Sequence, residues 1–185
     1  MPRVSRETRA ASDLDRRRFV ADPDVLAEFG MPLDDLADRD VRSFVIRHEH
    51  PEFEDALNDD LDEVDLGYGP INPHLHLTLH EIVATQLWED DPPEVWDTAV
   101  RLTEAGYERH EILHMLSRPV SDQIWAAAHD NRPYDRQRHL AALRALPGSW
   151  EQERTVLTTR KRHDAARKKA RQQARAARKR NRRPT

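Results

Sequence analysis

Two pairs of histidines have the spacing that metal chemistry requires. His76 and His80 are four residues apart, and so are His110 and His114. On a helix, residues four apart lie on one face, so each pair would present two imidazoles from one rigid element. Two such pairs on facing helices suit zinc, iron, nickel or manganese. One hypothesis is therefore a divalent metal ion as a cofactor, with these four histidines as its ligands.

The second pair lies in the string His110-Glu111-Ile112-Leu113-His114, which is H-E-x-x-H. In zinc hydrolases this motif places two imidazoles on the metal and a carboxylate beside them as general base. Glu111 is therefore the candidate catalytic residue of a metal-dependent hydrolase. However, no H-x-x-G-x-x-H string follows to complete the longer zinc-protease signature. A core of roughly 80 residues also leaves little room for a substrate cleft. The sequence leaves enzymatic activity undecided and favours a non-enzymatic role.

A structural role is the alternative for the inward histidines. They could form hydrogen bonds across a helix interface, and such a polar layer would fix the register of the helices. The available partners are Glu81, Glu111, Gln86 and Ser117. We rank this layer first, the metal site second and the hydrolase third.

Helical patterns surround these histidines. Asn72-Pro73 predicts the start of a helix that continues to about Trp88, and Asp91 is the predicted cap of the next helix, which stops at Gly106. A third helix begins near Glu108. Pro119 should kink or interrupt it, because proline lacks the amide donor. A fourth runs from about residue 134 to 146, and no strand pattern is convincing. We predict an all-α fold, a small antiparallel bundle over residues 67–150. Four tryptophans are its expected core anchors: Trp88, Trp96, Trp125 and Trp150.

Residues 1–66 are predicted to be an extension outside this bundle. Residues 1–20 indicate a mobile basic arm, and an acidic, partly helical segment follows. Asp22-Pro23 should open a short helix that Gly30 closes. Pro51 should start an amphipathic helix that reaches Val64.

The net charge of −4 conceals a strongly basic C-terminus. Residues 151–185 contain 14 basic and three acidic residues, a net charge of +11, which leaves −15 on residues 1–150. This tail is helix-competent but has no apolar face to bury. Its basic residues suit contacts to phosphates, which predicts nucleic acid or a ribonucleoprotein as a partner. Two alternatives, a tail that only confers solubility and a tail that pairs with the acidic residues 22–65, are together ranked equal to nucleic-acid binding. The candidate contact residues are Arg160, Lys161, Arg162, Arg167, Lys168, Lys169, Arg171, Arg175, Arg178, Lys179, Arg180, Arg182 and Arg183.

Composition excludes several functional classes. The chain has no cysteine, so disulfides, thiolate zinc sites and cysteine nucleophiles are excluded. No apolar stretch approaches the roughly 18 residues of a membrane helix, and the N-terminus lacks the apolar run of a secretory signal. We expect a cytoplasmic interaction or accessory protein whose tail binds a polyanion, or else a metal-binding helical protein.

Three stretches of the chain resemble an uncharacterised bacterial family, the domain of unknown function DUF1841. They are NPHLHLTLH at residues 72–80, the tryptophan-rich stretch at 86–96 and GYERHEILH at 106–114. The resemblance covers about residues 67–150. The histidine strings of the family fall on His74, His76 and His80 and on Arg109, His110, Glu111 and His114. The resemblance implies no activity, and Pro119 departs from the uninterrupted helix that we would expect.

Overall fold

The computed structural model describes residues 6–67, 69–159, 167 and 169. They are predominantly helical, which confirms the predicted all-α class. The α-helices up to residue 145 are α1 (Arg6–Phe19), α2 (Pro23–Glu28), α3 (Arg39–His48), α4 (Glu54–Asn58), α5 (Pro73–Glu89), α6 (Pro93–Glu104), α7 (Arg109–Asp130) and α8 (Arg136–Ala145). Two 3₁₀ helices (Leu33–Ala37 and Pro51–Phe53) and two short antiparallel strands, β1 (Val64–Asp65) and β2 (Pro70–Ile71), connect them.

The central helix is α5, which packs against α1, α3, α6 and α7. It begins as the sequence predicts, because the Asn72 side chain accepts a hydrogen bond from the Leu75 amide and Pro73 occupies the first turn. Its inward face contributes Val83 and Leu87, both with 0% exposure. These side chains bury apolar surface against the neighbouring helices, and this burial positions the histidines on the same helix.

The N-terminal segment packs on the core, in contrast to the mobile arm that we expected. Arg16 is buried and donates hydrogen bonds to the backbone carbonyls of Leu87 and Trp88. These carbonyls lie in the last turn of α5, where helix geometry leaves them without an intrahelical donor. An arginine there also interacts favourably with the helix dipole, which explains why a basic sequence forms a docked helix.

Residues before 67 also contribute to the core. Leu36 and Val45 have 0% exposure and Phe53 has 1%. Among the described residues, those up to Arg144 belong to one compact unit and those from Ala145 onward belong to another. The three-part division of the chain remains a prediction, but the predicted extension supplies part of the core.

Two helix boundaries differ from those predicted. The helix that starts near Pro51 ends at Asn58, and Leu61 beyond it is exposed. Asp60 there has a φ of 52°, a left-handed conformation that aspartate tolerates and that stops a helix. At α6 the N-cap is Pro92, which makes no side-chain hydrogen bond, whereas the predicted cap, Asp91, contacts Arg136 at 3.4 Å.

The interruption that Pro119 was predicted to cause is wrong, whereas the predicted alternative, a kink, stays a prediction. Helix α7 is continuous from Arg109 to Asp130 with Pro119 inside it. Buried side chains lie on both sides of the proline, including Met115, Leu116 and Val120. This packing offsets the hydrogen bond that proline removes.

The prediction that all four tryptophans anchor the core is wrong for Trp125, which is 63% exposed and stacks on His129. Trp96 is partly buried against Phe19. In the second unit, residues 148–159 are helical. Arg167 and Lys169 are helical and exposed, and the other predicted nucleic-acid contacts, Arg160, Lys161, Arg162, Lys168, Arg171, Arg175, Arg178, Lys179, Arg180, Arg182 and Arg183, lie outside the described residues.

Candidate metal centre

Four histidines from three parts of the fold converge in the core. His50 follows α3, His76 and His80 lie on α5, and His114 lies on α7. Each can offer one ring nitrogen such that all four nitrogens lie within 4.8 Å of one another. His110, on the first turn of α7, lies at the edge of this group, with its ring centroid 4.6 Å from that of His114. We call His50, His76, His80 and His114 the histidine cluster.

The pairs on α5 and α7 adopt the arrangement that their spacing predicts. The His76 and His80 rings stack at 4.6 Å, and the His80 and His114 rings are 4.9 Å apart across the helix interface. His80 is 2% exposed, whereas His74, two residues before His76, points outward and lies 3.4 Å from Asp60. The 3.6-residue helical period therefore separates the inward histidines from the outward one.

His50 is held in one orientation. Its ring is fully buried, and Nδ1 donates a hydrogen bond of 2.8 Å to the backbone carbonyl of Ile46. A carbonyl only accepts, so the proton is on Nδ1 and the lone pair of Nε2 remains available. Phe53 stacks parallel to the His50 ring at 6.0 Å and contacts His76 at 5.0 Å. A backbone carbonyl that fixes the tautomer of a histidine is a common second-sphere feature of metal sites.

An ion pair ties the segments that carry His50 and His110. Glu49, whose side chain is 3% exposed, accepts hydrogen bonds of 3.1 Å from both terminal nitrogens of Arg109. Arg109 also donates to the backbone carbonyls of Phe19 and Val20. Because Glu49 precedes His50 and Arg109 precedes His110, this pair fixes the end of α3 against the start of α7.

Several ring nitrogens of the cluster are buried without a hydrogen-bond partner. They are Nε2 of His50, His76 and His114 and both nitrogens of His80. A buried polar atom without a partner costs about 1–3 kcal/mol. The hydroxyl of Ser117, one of the partners that the structural alternative requires, is also unpaired. The hydrogen-bonded layer therefore does not form at these nitrogens, and they remain available as ligands.

The surroundings keep the inward imidazoles of α5 and α7 neutral. Burial, followed by the neighbouring His50, lowers the pKa of His76 to about 3. Burial, followed by the neighbouring His110, lowers the pKa of His114 to about 4, and burial also lowers the pKa of His80 and of His110. A neutral imidazole is the form that binds a metal ion, so the site would not first have to lose protons at neutral pH.

The family assignment agrees with the resemblance and extends it. A family profile, Domain of unknown function (DUF1841), matches residues 13–145. The chain belongs to the DUF1841 family. No curated protein and no solved structure matches the chain. The match begins at residue 13, so the acidic half, which the resemblance left out, lies within the DUF1841 domain together with His50.

Of the four predicted ligands, the structure groups His76, His80 and His114 together with His50, whereas His110 lies beside this group and outside it. Sequence reasoning missed His50 because it is not part of an i, i+4 pair and lies in the segment taken for an extension. The one local feature that could have indicated His50 is its position directly before Pro51, since the residue before a proline tends to lie at a helix end. Glu81 and Glu111 are partly buried and do not belong to the four-residue group.

Proposed function

We propose that this protein binds one divalent transition-metal ion in the histidine cluster. The observation that carries the proposal is the convergence of four imidazole nitrogens within 4.8 Å, most of them buried and without hydrogen-bond partners. A bound ion would lie about 2.1 Å from each nitrogen and would satisfy atoms that otherwise carry a desolvation cost.

The donor set selects among metals. All four ligands are neutral nitrogen donors, and no carboxylate belongs to the group within the described residues. Imidazole suits zinc, nickel, copper and iron, whereas manganese and magnesium favour oxygen ligands. We therefore expect zinc or nickel to bind more tightly than manganese. A hydrolase role for Glu111 remains a prediction that the cluster itself does not support.

The test compares two neighbouring histidines on α5. His76→Gln removes a cluster ligand, and His74→Gln makes the same change at an exposed position on the same helix. In equilibrium dialysis against zinc, the untagged wild type and His74→Gln should each bind one ion per chain. His76→Gln should bind at least about tenfold more weakly. Equal affinities of the two variants would contradict the proposal.

A second proposal concerns the basic tail. We propose that residues 151–185 bind nucleic acid through phosphate contacts. The support is the net charge of +11 and the exposure of Arg167 and Lys169. No aromatic residue follows Trp150 to stack on bases, so binding should not depend on sequence.

None of the helices in the described residues is long and apolar enough to cross a membrane.

A further inference from the structure

A cavity of about 470 Å³ lies where α7 passes into α8. Its volume is within the range of ligand pockets, roughly 300–1,000 Å³. The lining that the structure describes contains no member of the histidine cluster. It does contain three arginines, Arg132, Arg136 and Arg138, together with the aromatic ring of Tyr134. Guanidinium groups suit phosphate, and aromatic rings suit the bases of nucleotides.

The loop that forms this cavity has a fixed conformation. Gln123 of α7 is 8% exposed, donates a hydrogen bond of 3.2 Å to the backbone carbonyl of Asp135 and accepts one of 3.0 Å from the amide of the same residue. Asn131 ends α7 in the left-handed conformation, and the Arg132 amide donates to the carbonyl of Ala126. A loop held in this way presents its side chains to a ligand with little further cost in ordering the backbone.

Two of the three arginines are available to an anion. Arg136 already contacts two acidic side chains around the start of α6, at 3.4 and 3.7 Å. Arg132 makes an exposed pair with Asp130 at 3.5 Å, and pairs of this kind contribute little energy. Arg138 is exposed, and within the described residues its guanidinium has no hydrogen-bond or ion-pair partner. Arg132 and Arg138 therefore leave positive charge for a ligand.

The acidic residue of the lining does not cancel this charge. Asp135 precedes α8, and its carboxylate accepts a hydrogen bond of 3.0 Å from the Arg138 amide in the first turn. The carboxylate thus caps the helix, where the helix dipole offsets its negative charge.

Tyr134 presents an aromatic surface beside these arginines. Its ring contacts that of His139, which is 1% exposed, at 5.9 Å between centroids. The contact supports the tyrosine on one side, while the residue as a whole remains 57% exposed. A base that stacks on such a ring gains affinity whatever its identity, whereas inorganic phosphate gains none from the ring.

We propose that this cavity binds a nucleotide, with the base on the ring of Tyr134 and the phosphate between Arg132 and Arg138. Free nucleotides and the nucleotides of a single strand share this chemistry, and the experiment distinguishes the two sources. The site goes beyond the proposed metal centre and does not depend on it.

The experiment is isothermal titration calorimetry of the untagged full-length protein with AMP, with inorganic phosphate and with a single-stranded pentaadenylate. AMP should bind at least about tenfold more tightly than inorganic phosphate. Arg138→Gln should weaken AMP binding at least about tenfold, because a charge-assisted hydrogen bond is lost. Tyr134→Ala should reduce the affinity for AMP to that for inorganic phosphate, whereas Tyr134→Phe keeps the ring and should behave as the wild type.

Arg144→Gln is the matched control. Arg144 is an exposed arginine on the same helix, α8, and is not part of the described lining of the cavity. This variant should bind AMP as the wild type does. The basic tail is unchanged in every variant, so differences between them report on the cavity alone.

The other outcomes have defined meanings. Equal affinities of the wild type for AMP and inorganic phosphate would refute the inference, because the base would not be recognised. AMP binding that persists in both Arg138→Gln and Tyr134→Ala would place the nucleotide elsewhere and would also refute it, as would failure to bind either AMP or pentaadenylate. Binding of pentaadenylate alone, weakened by both substitutions, would support the inference and assign the nucleotide to a strand. The refuting results leave the proposed metal site intact, since no variant alters the histidine cluster.

Discussion

The ion pair between Glu49 and Arg109 offers the sharpest test of how the fold holds the site. The Glu49 carboxylate accepts two hydrogen bonds from Arg109 and one of 2.6 Å from the Asp22 amide. Glu49→Gln keeps the shape of the side chain and one acceptor oxygen but removes the charge. We expect the variant to fold, to be less stable and to bind zinc more weakly, because the segments carrying His50 and His110 lose their common anchor.

The magnitude follows from burial. Removing one partner of a buried ion pair costs about 3–5 kcal/mol. Arg109 is 20% exposed and keeps the carbonyls of Phe19 and Val20 as acceptors, and glutamine replaces part of the lost bonding. We therefore expect a loss of about 2 kcal/mol in the free energy of unfolding. For a unit of this size, that loss lowers the melting temperature by about 4–8 °C.

Urea denaturation in the presence of a chelator measures this loss without a contribution from metal. Asp122→Asn is the matched control, since it neutralises one partner of an exposed ion pair with Arg118 on α7 and should cost no more than about 0.5 kcal/mol. A second set of urea denaturations in the presence of zinc measures the zinc affinity, because a bound ion stabilises the folded state. The added free energy of unfolding is about 2.7 kcal/mol when the free zinc concentration is a hundred times the dissociation constant. If Glu49→Gln is as stable as Asp122→Asn, the ion pair does not hold the site together and our reasoning is refuted.

Three further predictions concern acidity, packing and the tail. In the presence of a chelator, the free energy of unfolding should reach its plateau above pH 6.5 and should fall as the pH is lowered towards 4. The reason is that His76 and His114 take up protons near pH 6.5 in the unfolded chain, whereas burial lowers their pKa to about 3 and about 4 in the folded chain. The free energy of unfolding should change by at most about 1.4 kcal/mol per pH unit for each histidine. If the urea midpoint of His76→Gln falls with pH as steeply as that of the wild type, this prediction is contradicted. Phe53→Ala should lower the free energy of unfolding by about 3–5 kcal/mol and weaken zinc binding, because Phe53 is 1% exposed and contacts two rings of the cluster. A variant with the stability and zinc affinity of the wild type would contradict this prediction. Truncation after Trp150 should leave the melting temperature of the rest of the chain nearly unchanged and should abolish the salt-sensitive binding of duplex DNA. If the truncated protein binds DNA as the full chain does, the tail is not the DNA contact.

The sequence predicted the helices that carry the paired histidines because their signals are local. The Asn72-Pro73 start and the i, i+4 spacing are both contained in α5, so no tertiary information was needed. His50 and the packing of α1 depend on contacts between residues far apart in sequence. Arg16 reaches the end of α5, 71 residues away, and nothing in its local sequence indicates that partner. A basic segment therefore suggested a mobile arm.

Pro119 and Trp125 show a second limit of local reasoning. Proline disfavours a helix interior, but buried side chains lie on both sides of Pro119 and α7 remains helical through it. Trp125 is a large aromatic residue of the kind that usually anchors a core, yet it lies on the outer face of α7 between the buried residues Gln123 and Ala126. In both cases the packing of the long helix, rather than the residue type, decides the outcome.

The central claim is that the histidine cluster holds a metal ion. The most direct test is elemental analysis of full-length protein that is purified without a histidine tag and freed of loosely bound metal by gel filtration. We predict about one equivalent of a single transition metal per chain, and a marked loss of that metal in His76→Gln but not in His74→Gln. Protein that contains no metal, and that takes up none when dialysed against zinc, nickel or iron(II), would contradict the claim.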